Sequence, residues 1–222
     1  MEMPNVLIQY EAEIWRAISE TFFMVGVSII AAIIIGLPIG TYLFLCGKGK
    51  LLENRIVYNI LNLAVNTIRS FPFLLLVVFL IPFTRLIVGT AIGTVAATIP
   101  LSIIAIAHYA RLVEQSLLDV PKGVIEAAVS MGASVKRIIF SFLYVEARSG
   151  LVLGLTTSIV SFISYSTIMG VVGGGGIGDF AIRYGYQQFK TDLMLYMILI
   201  MIILVQLIQL LGTTVARWLD KR

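Results

Sequence analysis

The chain has 222 residues, 59% of them hydrophobic and only 13% charged, with a mean hydropathy of +1.00. A soluble domain cannot hide that much apolar surface, so the composition points to a polytopic helical membrane protein and excludes a soluble globular enzyme. The formal charge of +4 and one cysteine with one histidine leave no basis for an internal disulfide, a metal centre or a cofactor.

Residues 1–20 carry Glu2, Glu11, Glu13 and Glu20 and no apolar core of signal-peptide length. With Ile14 and Trp15 they read as an amphipathic helix lying at the membrane interface. Five apolar runs follow, roughly 21–45, 57–82, 87–109, 151–172 and 193–216. Each is long enough to cross a hydrocarbon core of about 30 Å, which takes about 20 helical residues. The expected fold class is therefore all-α, as one transmembrane domain over residues 1–222.

The first span ends at Cys46, in a basic stretch with Lys48 and Lys50. The second holds Asn62, Asn66 and Arg69 at helical spacing, one polar stripe in an apolar segment. A charge at that depth costs at least about 2.5–3.5 kcal/mol, so Arg69 should face protein or water. Pro72 follows in Arg69-Ser70-Phe71-Pro72 and should kink the helix, making Arg69 and Pro72 candidates for a hinge on a solute path. His108 ends the third span and needs no special role.

Residues 111–148 form the one long polar insertion, and contain Ile125-Glu126-Ala127-Ala128-Val129-Ser130-Met131-Gly132. Two short helices are expected: one opened by Pro121 and closed by Gly132, the next capped by Ser134 and running over 135–145. Ala127, Ala128 and Gly132 carry almost no bulk, so a partner protein can approach closely there. The fourth span ends in hydroxyl-bearing and apolar residues, of which Tyr165, Ser166, Ile168 and Met169 are candidate gate residues. Then come Gly173, Gly174, Gly175, Gly176 and Gly178, too many glycines in six residues for a stable helix. No lysine and hydroxyl residue follow them, so this is not a phosphate-cradling loop. In the last span Gln206 and Gln209 are expected to hydrogen-bond to a neighbouring helix.

Basic residues set the orientation. With the N-terminus outside, Lys48, Lys50, Arg55, Arg111, Lys122, Lys136, Arg137, Arg148, Arg217, Lys221 and Arg222 fall on the inner side, against Arg16, Arg85, Arg183 and Lys190 outside. That bias gives N-out, C-in, with the insertion in the cytoplasm, and accounts for the net charge without a nucleic-acid partner. No acid lies at the centre of a span, which counts against ion-coupled transport, and no nucleophile–base pair suggests an enzyme.

Glu126, Ala127, Ala128 and Gly132 match the Glu-Ala-Ala, three residues, Gly pattern of the coupling loop of bacterial ABC-importer permeases. The family's closing Leu-Pro is absent: Phe142, Leu143, Tyr144 and Val145 stand there. Arg69-Ser70-Phe71-Pro72 resembles a motif of amino-acid-type permeases. Gly178-Asp179-Phe180-Ala181-Ile182-Arg183-Tyr184-Gly185-Tyr186-Gln187-Gln188-Phe189 closely resembles the loop before the last span of methionine-importer permeases. The whole chain thus resembles the permease subunit of the methionine ABC importer. That resemblance implies a type I importer architecture, a second copy of the chain, two cytosolic ATPase subunits, an external substrate-binding lipoprotein and a place in the bacterial inner membrane. It also implies that ATP hydrolysis resides in the partner, since the chain has no Walker loop. A permease for a quaternary amine or polar amino acid, and a stand-alone carrier or channel, are the competing readings.

Overall fold

A computed structural model describes residues 8–220; Lys221 and Arg222, and the start of the expected interfacial helix at residues 1–7, lie outside them. Among the described residues every regular element is helical. Four helices are long and apolar enough to cross a membrane, and five if one bent pair counts as a single span.

Helix α1, Glu11–Cys46, is continuous over 36 residues. The expected interfacial helix is therefore not a separate element from Glu11 onward; it is the first turns of the first span. At 1.5 Å per residue α1 is about 54 Å long, so it reaches beyond the hydrocarbon core. Ala17, Thr21, Met24, Val25 and Ser28 are buried at helical spacing, while Phe22, Phe23 and Ile30 are exposed, as a lipid-facing side requires. Asn54 opens α2, Arg55–Ser70: its Oδ1 accepts the N–H groups of Ile56 and Val57, both at 3.1 Å.

The expected second span is not one helix. Helix α2 and α3, Phe73–Phe79, meet at a bend of 105° around Phe71 and Pro72. Proline lacks an N–H and disfavours helical geometry in the residue before it, so the ladder stops there. Helix α4, Ile81–Val88, follows and ends at Gly89. The third span starts later than its apolar run: α5 is Thr94–Leu118 and carries Arg111 and Glu114 within it. The polar insertion shrinks accordingly to residues 119–134 around α6, Lys122–Ser130. Its expected second helix is the start of α7, Val135–Val171, which runs on without a break. At the slot of the missing Leu-Pro, residues 142–145 all bear N–H groups, so the ladder continues, loosened by a π-helical turn over Ile138–Leu143. Ser134 sits at the N-cap of α7, but its side chain makes no capping hydrogen bond. Helix α8, Gly176–Phe180, and a π-helical stretch, Ala181–Gln187, precede α9, Thr191–Leu219. Gln206 and Gln209 are exposed on α9 and their side chains make no hydrogen bond among the described residues, unlike the interhelical pairing expected.

Contacts divide the chain into two compact units. Of the described residues, one takes 8–30, 71–104 and 159–208; the other takes 31–70, 105–158 and 209–220. In the second unit, small residues let helices touch at the backbone. A Cβ on Gly40 would lie 2.3 Å from the Ala110 carbonyl oxygen, and one on Gly36 2.8 Å from that of Ile106. Leu43, Val65, Ala107 and Ala110 are buried together beside this contact. In the first unit, Ala17, Ile177, Phe180, Leu193 and Met197 form the core.

Candidate docking loop and glycine loop

The second unit holds the Glu-Ala-Ala motif. Helix α6 closes in a Schellman turn: Ala133 N–H donates to Ala128 O at 3.1 Å and Gly132 N–H to Val129 O at 2.9 Å. Gly132 has φ of 71°, the left-handed conformation expected of it, and nothing within 4 Å of where a Cβ would stand. Glu126, Ala127, Val129, Met131 and Gly132 are exposed. Ala128 is not: it is fully buried, so its small size serves packing inside the unit, and the low-bulk surface consists of Ala127 and Gly132.

Below α6, one charged network ties α5 to α2. The Arg111 guanidinium donates to Asn62 Oδ1 at 2.6 Å and Asn66 Oδ1 at 2.7 Å, and pairs with the Glu114 carboxylate at 2.5 Å. The polar stripe of α2 thus has an internal partner, as stripes within membranes usually do. The side chains of Arg111 and Glu114 are 14% and 6% exposed, so neither charge stands bare. Sequence reasoning placed Arg111 in a loop and missed this site. The i,i+3 spacing of Arg111 and Glu114 was the available signal. Arg69 is exposed near the end of α2 in this unit.

The first unit holds the other candidates. Tyr165 stacks on Phe73 with ring centroids 4.7 Å apart, next to Pro72, the N-cap of α3. Ser166 and Met169 are buried and Ile168 is half-buried. The Ser166 hydroxyl donates to Ile163 O at 2.7 Å. Of the six gate candidates, Pro72 and the 165–169 turn lie in this unit, and Arg69 in the other.

The glycine run is held from a distance of 156 residues. Glu20 Oε2 accepts the Gly176 N–H at 2.8 Å, and Thr21 Oγ1 accepts the Ile177 N–H at 2.9 Å. Gly175 has φ 79° and ψ −162°, a region that only glycine occupies readily. A Cβ there would lie 2.5 Å from Glu20 Oε2. The run is not entirely a turn, since α8 begins at Gly176 once these two side chains supply acceptors for its free N–H groups. Gly170 and Gly178 bring α7 and α8 into backbone contact: a Cβ on Gly170 would lie 2.3 Å from Asp179 N. Gly173, Gly174, Gly175 and Gly176 line a cavity of about 450 Å³ with Glu13, Arg16, Asp179 and Arg183. Its charges are largely matched, because Arg16 pairs with Glu20 and Arg183 with Asp179. Nothing local in the sequence announced the Glu20–Thr21 clasp.

Comparison with known proteins completes the description. The profile of the family described as "Binding-protein-dependent transport system inner membrane component" matches residues 32–222. The chain is 43% identical to the probable D-methionine transport system permease protein MetI of Pasteurella multocida, over 94% of this chain and 98% of that protein. It is 40% identical to the methionine import system permease protein MetP of Bacillus subtilis, over 99% and 97%. Among solved structures, a chain from the inward-facing conformations of the MetNI methionine ABC transporter superposes with a TM-score of 0.93 at 38% identity, covering 96% of this chain and 99% of that one. An amino acid ABC transporter solved with histidines superposes at 0.78 with 17% identity, which shows a shared fold only.

Proposed function

The chain belongs to the inner-membrane components of binding-protein-dependent transport systems, with the type I ABC importer permease fold, and from that premise we propose that it is the permease of an ATP-driven importer of methionine. The observation that carries the reading is the end-to-end likeness to methionine permeases, at 40–43% identity with nearly all of both chains covered. D-methionine is included because the Pasteurella relative is described as transporting it.

In this reading the exposed Glu126 and Ala127 on α6, with Gly132 in the turn that closes it, dock a cytosolic ATPase, one per permease. Closure of the ATPases pulls on α6 and rocks the spans, while an external binding lipoprotein delivers the solute. A second copy completes the path, since five helices are few to surround an amino acid. Exposed Gln206 and Gln209, on a helix otherwise lined with Leu and Ile, suit hydrogen bonding to that copy. The Tyr165–Met169 turn against Phe73 and Pro72 serves as part of the gate, and Gly173–Gly178 forms the loop outside it. The N-terminus faces outward and the C-terminus the cytoplasm.

The test is uptake of labelled methionine by proteoliposomes holding the permease, its ATPase and the binding protein. Methionine should enter with ATP and not without it. Uptake of glutamine or glycine betaine with no competition by methionine would assign another solute; uptake without the ATPase would make the chain a carrier. In a Cys46→Ala background, Gln187→Cys should react with an impermeant maleimide from outside and Lys122→Cys should not. The reverse pattern overturns the orientation.

A further inference from the structure

Beside α6 the second unit has an open cavity of about 760 Å³ with three ammonium groups on it: Lys48 and Lys50 from the turn after α1, and Lys122 from the first turn of α6. None of the three is in an ion pair among the described residues, whose pairs are Arg16–Glu20, Arg111–Glu114 and Arg183–Asp179. Glu126 is the one carboxylate on the cavity's edge, so positive charge is in excess there. Two further acids line an adjoining cavity that shares Lys48 and Lys50, but both are engaged: Glu53 accepts the Gly49 N–H at 2.9 Å, and Glu114 pairs with Arg111. Lys50 Nζ lies 4.2 Å from the centroid of the ring of Phe44, which lines the same cavity. Partial burial, and then the neighbouring charge of Lys122, pull the Lys50 ammonium below the usual lysine range. Folding has set three cations around one cavity with a single carboxylate at its edge, an arrangement that an anion relieves.

The remaining lining is apolar, from Phe44, Leu51, Ile125 and Val129. The apolar run of α1 ends at Cys46, two residues before Lys48, and such a change from apolar to basic residues is the pattern expected where a bilayer's hydrocarbon gives way to its headgroups. We infer that the cavity formed by Lys48, Lys50 and Lys122 beside α6 is a binding site for the phosphate of an anionic phospholipid headgroup. The lysines hold the phosphate and the apolar wall takes the glycerol-ester region. A soluble phosphate offers the same charge but nothing for that wall, and a basic pocket at the membrane surface is a recognised setting for an anionic lipid. The site adjoins the docking surface, so lipid composition acts on the same helix that receives the ATPase. It stands whatever solute is carried.

The experiment uses the purified complex of permease and ATPase in nanodiscs of phosphatidylglycerol with phosphatidylcholine. Native mass spectrometry counts the phosphatidylglycerol retained per permease. Each lysine near an anionic surface contributes roughly fivefold in affinity, so K122Q alone should weaken retention by about that factor, and K48Q/K50Q/K122Q by more than tenfold. The charge-preserving K48R/K50R/K122R should retain lipid, which separates the site from a folding defect. K136Q/R137Q, which removes two charges outside the cavity, should leave retention unchanged. Four results overturn the inference: wild-type retention in the triple glutamine variant; equal loss in K136Q/R137Q; displacement of the lipid by inorganic phosphate or glycerol phosphate at matched concentration; or loss of the ATPase with lipid retention intact, which would assign the lysines to the protein partner.

Discussion

The α6 loop and the glycine loop both depend on glycine, and they use it for opposite ends. At Gly132 the left-handed backbone is all that is required: a Cβ would meet nothing within 4 Å, and the turn stands open to a partner. At Gly175 the same absence of a side chain is filled from within, by the Glu20 carboxylate. The first loop is ordered by its own Schellman hydrogen bonds, the second by two side chains from α1. A loop that must offer its surface cannot also be covered, and a loop whose position matters to the elements around it gains from being tied to them. Substitutions should therefore act on stability at one loop and on partnership at the other.

The largest effect on the fold belongs to Gly175. Gly175→Ala meets both an unfavourable backbone region, costing about 1–3 kcal/mol, and crowding against Glu20, of order 1–3 kcal/mol. A loss of about 3 kcal/mol should appear as a drop of several degrees in the thermal unfolding midpoint of the detergent-solubilised complex. Glu20→Ala should cost less, about 1–3 kcal/mol, by stripping the Gly176 N–H of its acceptor. Glu20→Gln keeps an acceptor oxygen and should recover most of that. If Gly175→Ala melts like the parent, the clasp does not order the loop.

A paired substitution divides the Glu-Ala-Ala motif. Ala128 is fully buried and Ala127 exposed, although they are neighbours with one side chain. Ala128→Trp should overpack the unit and destabilise it by about 1–3 kcal/mol or more. Ala127→Trp should leave the midpoint within about 0.5 kcal/mol of the parent while ATPase copurification and substrate-stimulated hydrolysis fall. Equal loss of the ATPase in both, with no change in stability, would return Ala128 to the docking surface.

Periodicity and punctuation made much of this legible in the sequence. Apolar runs marked the spans, Pro72 marked the bend, and Gly132 marked the end of α6, because each is a local property of the backbone. Helix ends were less legible where tertiary contacts extend them. Helix α5 runs through Arg111 because Asn62, Asn66 and Glu114 satisfy its charge, and those partners come from another helix as well as its own. Helix α7 begins at Val135 because no proline interrupts residues 142–145, so the polar insertion is shorter than its polarity suggested. The burial of Ala128 and the clasp from Glu20 are long-range facts that alanine and glutamate do not carry in their own identity. The close approach at Gly36 and Gly40 did have a local sign, two glycines four apart in an apolar run.

Gly132 gives the smallest effect on stability and the sharpest separation of roles. Gly132→Ala places a Cβ in open space, so only the left-handed backbone is penalised, by about 1–2 kcal/mol. Gly132→Asn should cost less, since its short polar side chain tolerates that conformation. Gly132→Glu carries the same backbone penalty as alanine and adds bulk and charge to the exposed turn. Unfolding of the alanine and glutamate variants should therefore be nearly alike, while the ATPase stays with the alanine variant and is lost from the glutamate one. If both keep the ATPase with normal substrate-stimulated hydrolysis, the turn is only a helix stop, and docking must be sought elsewhere on α6.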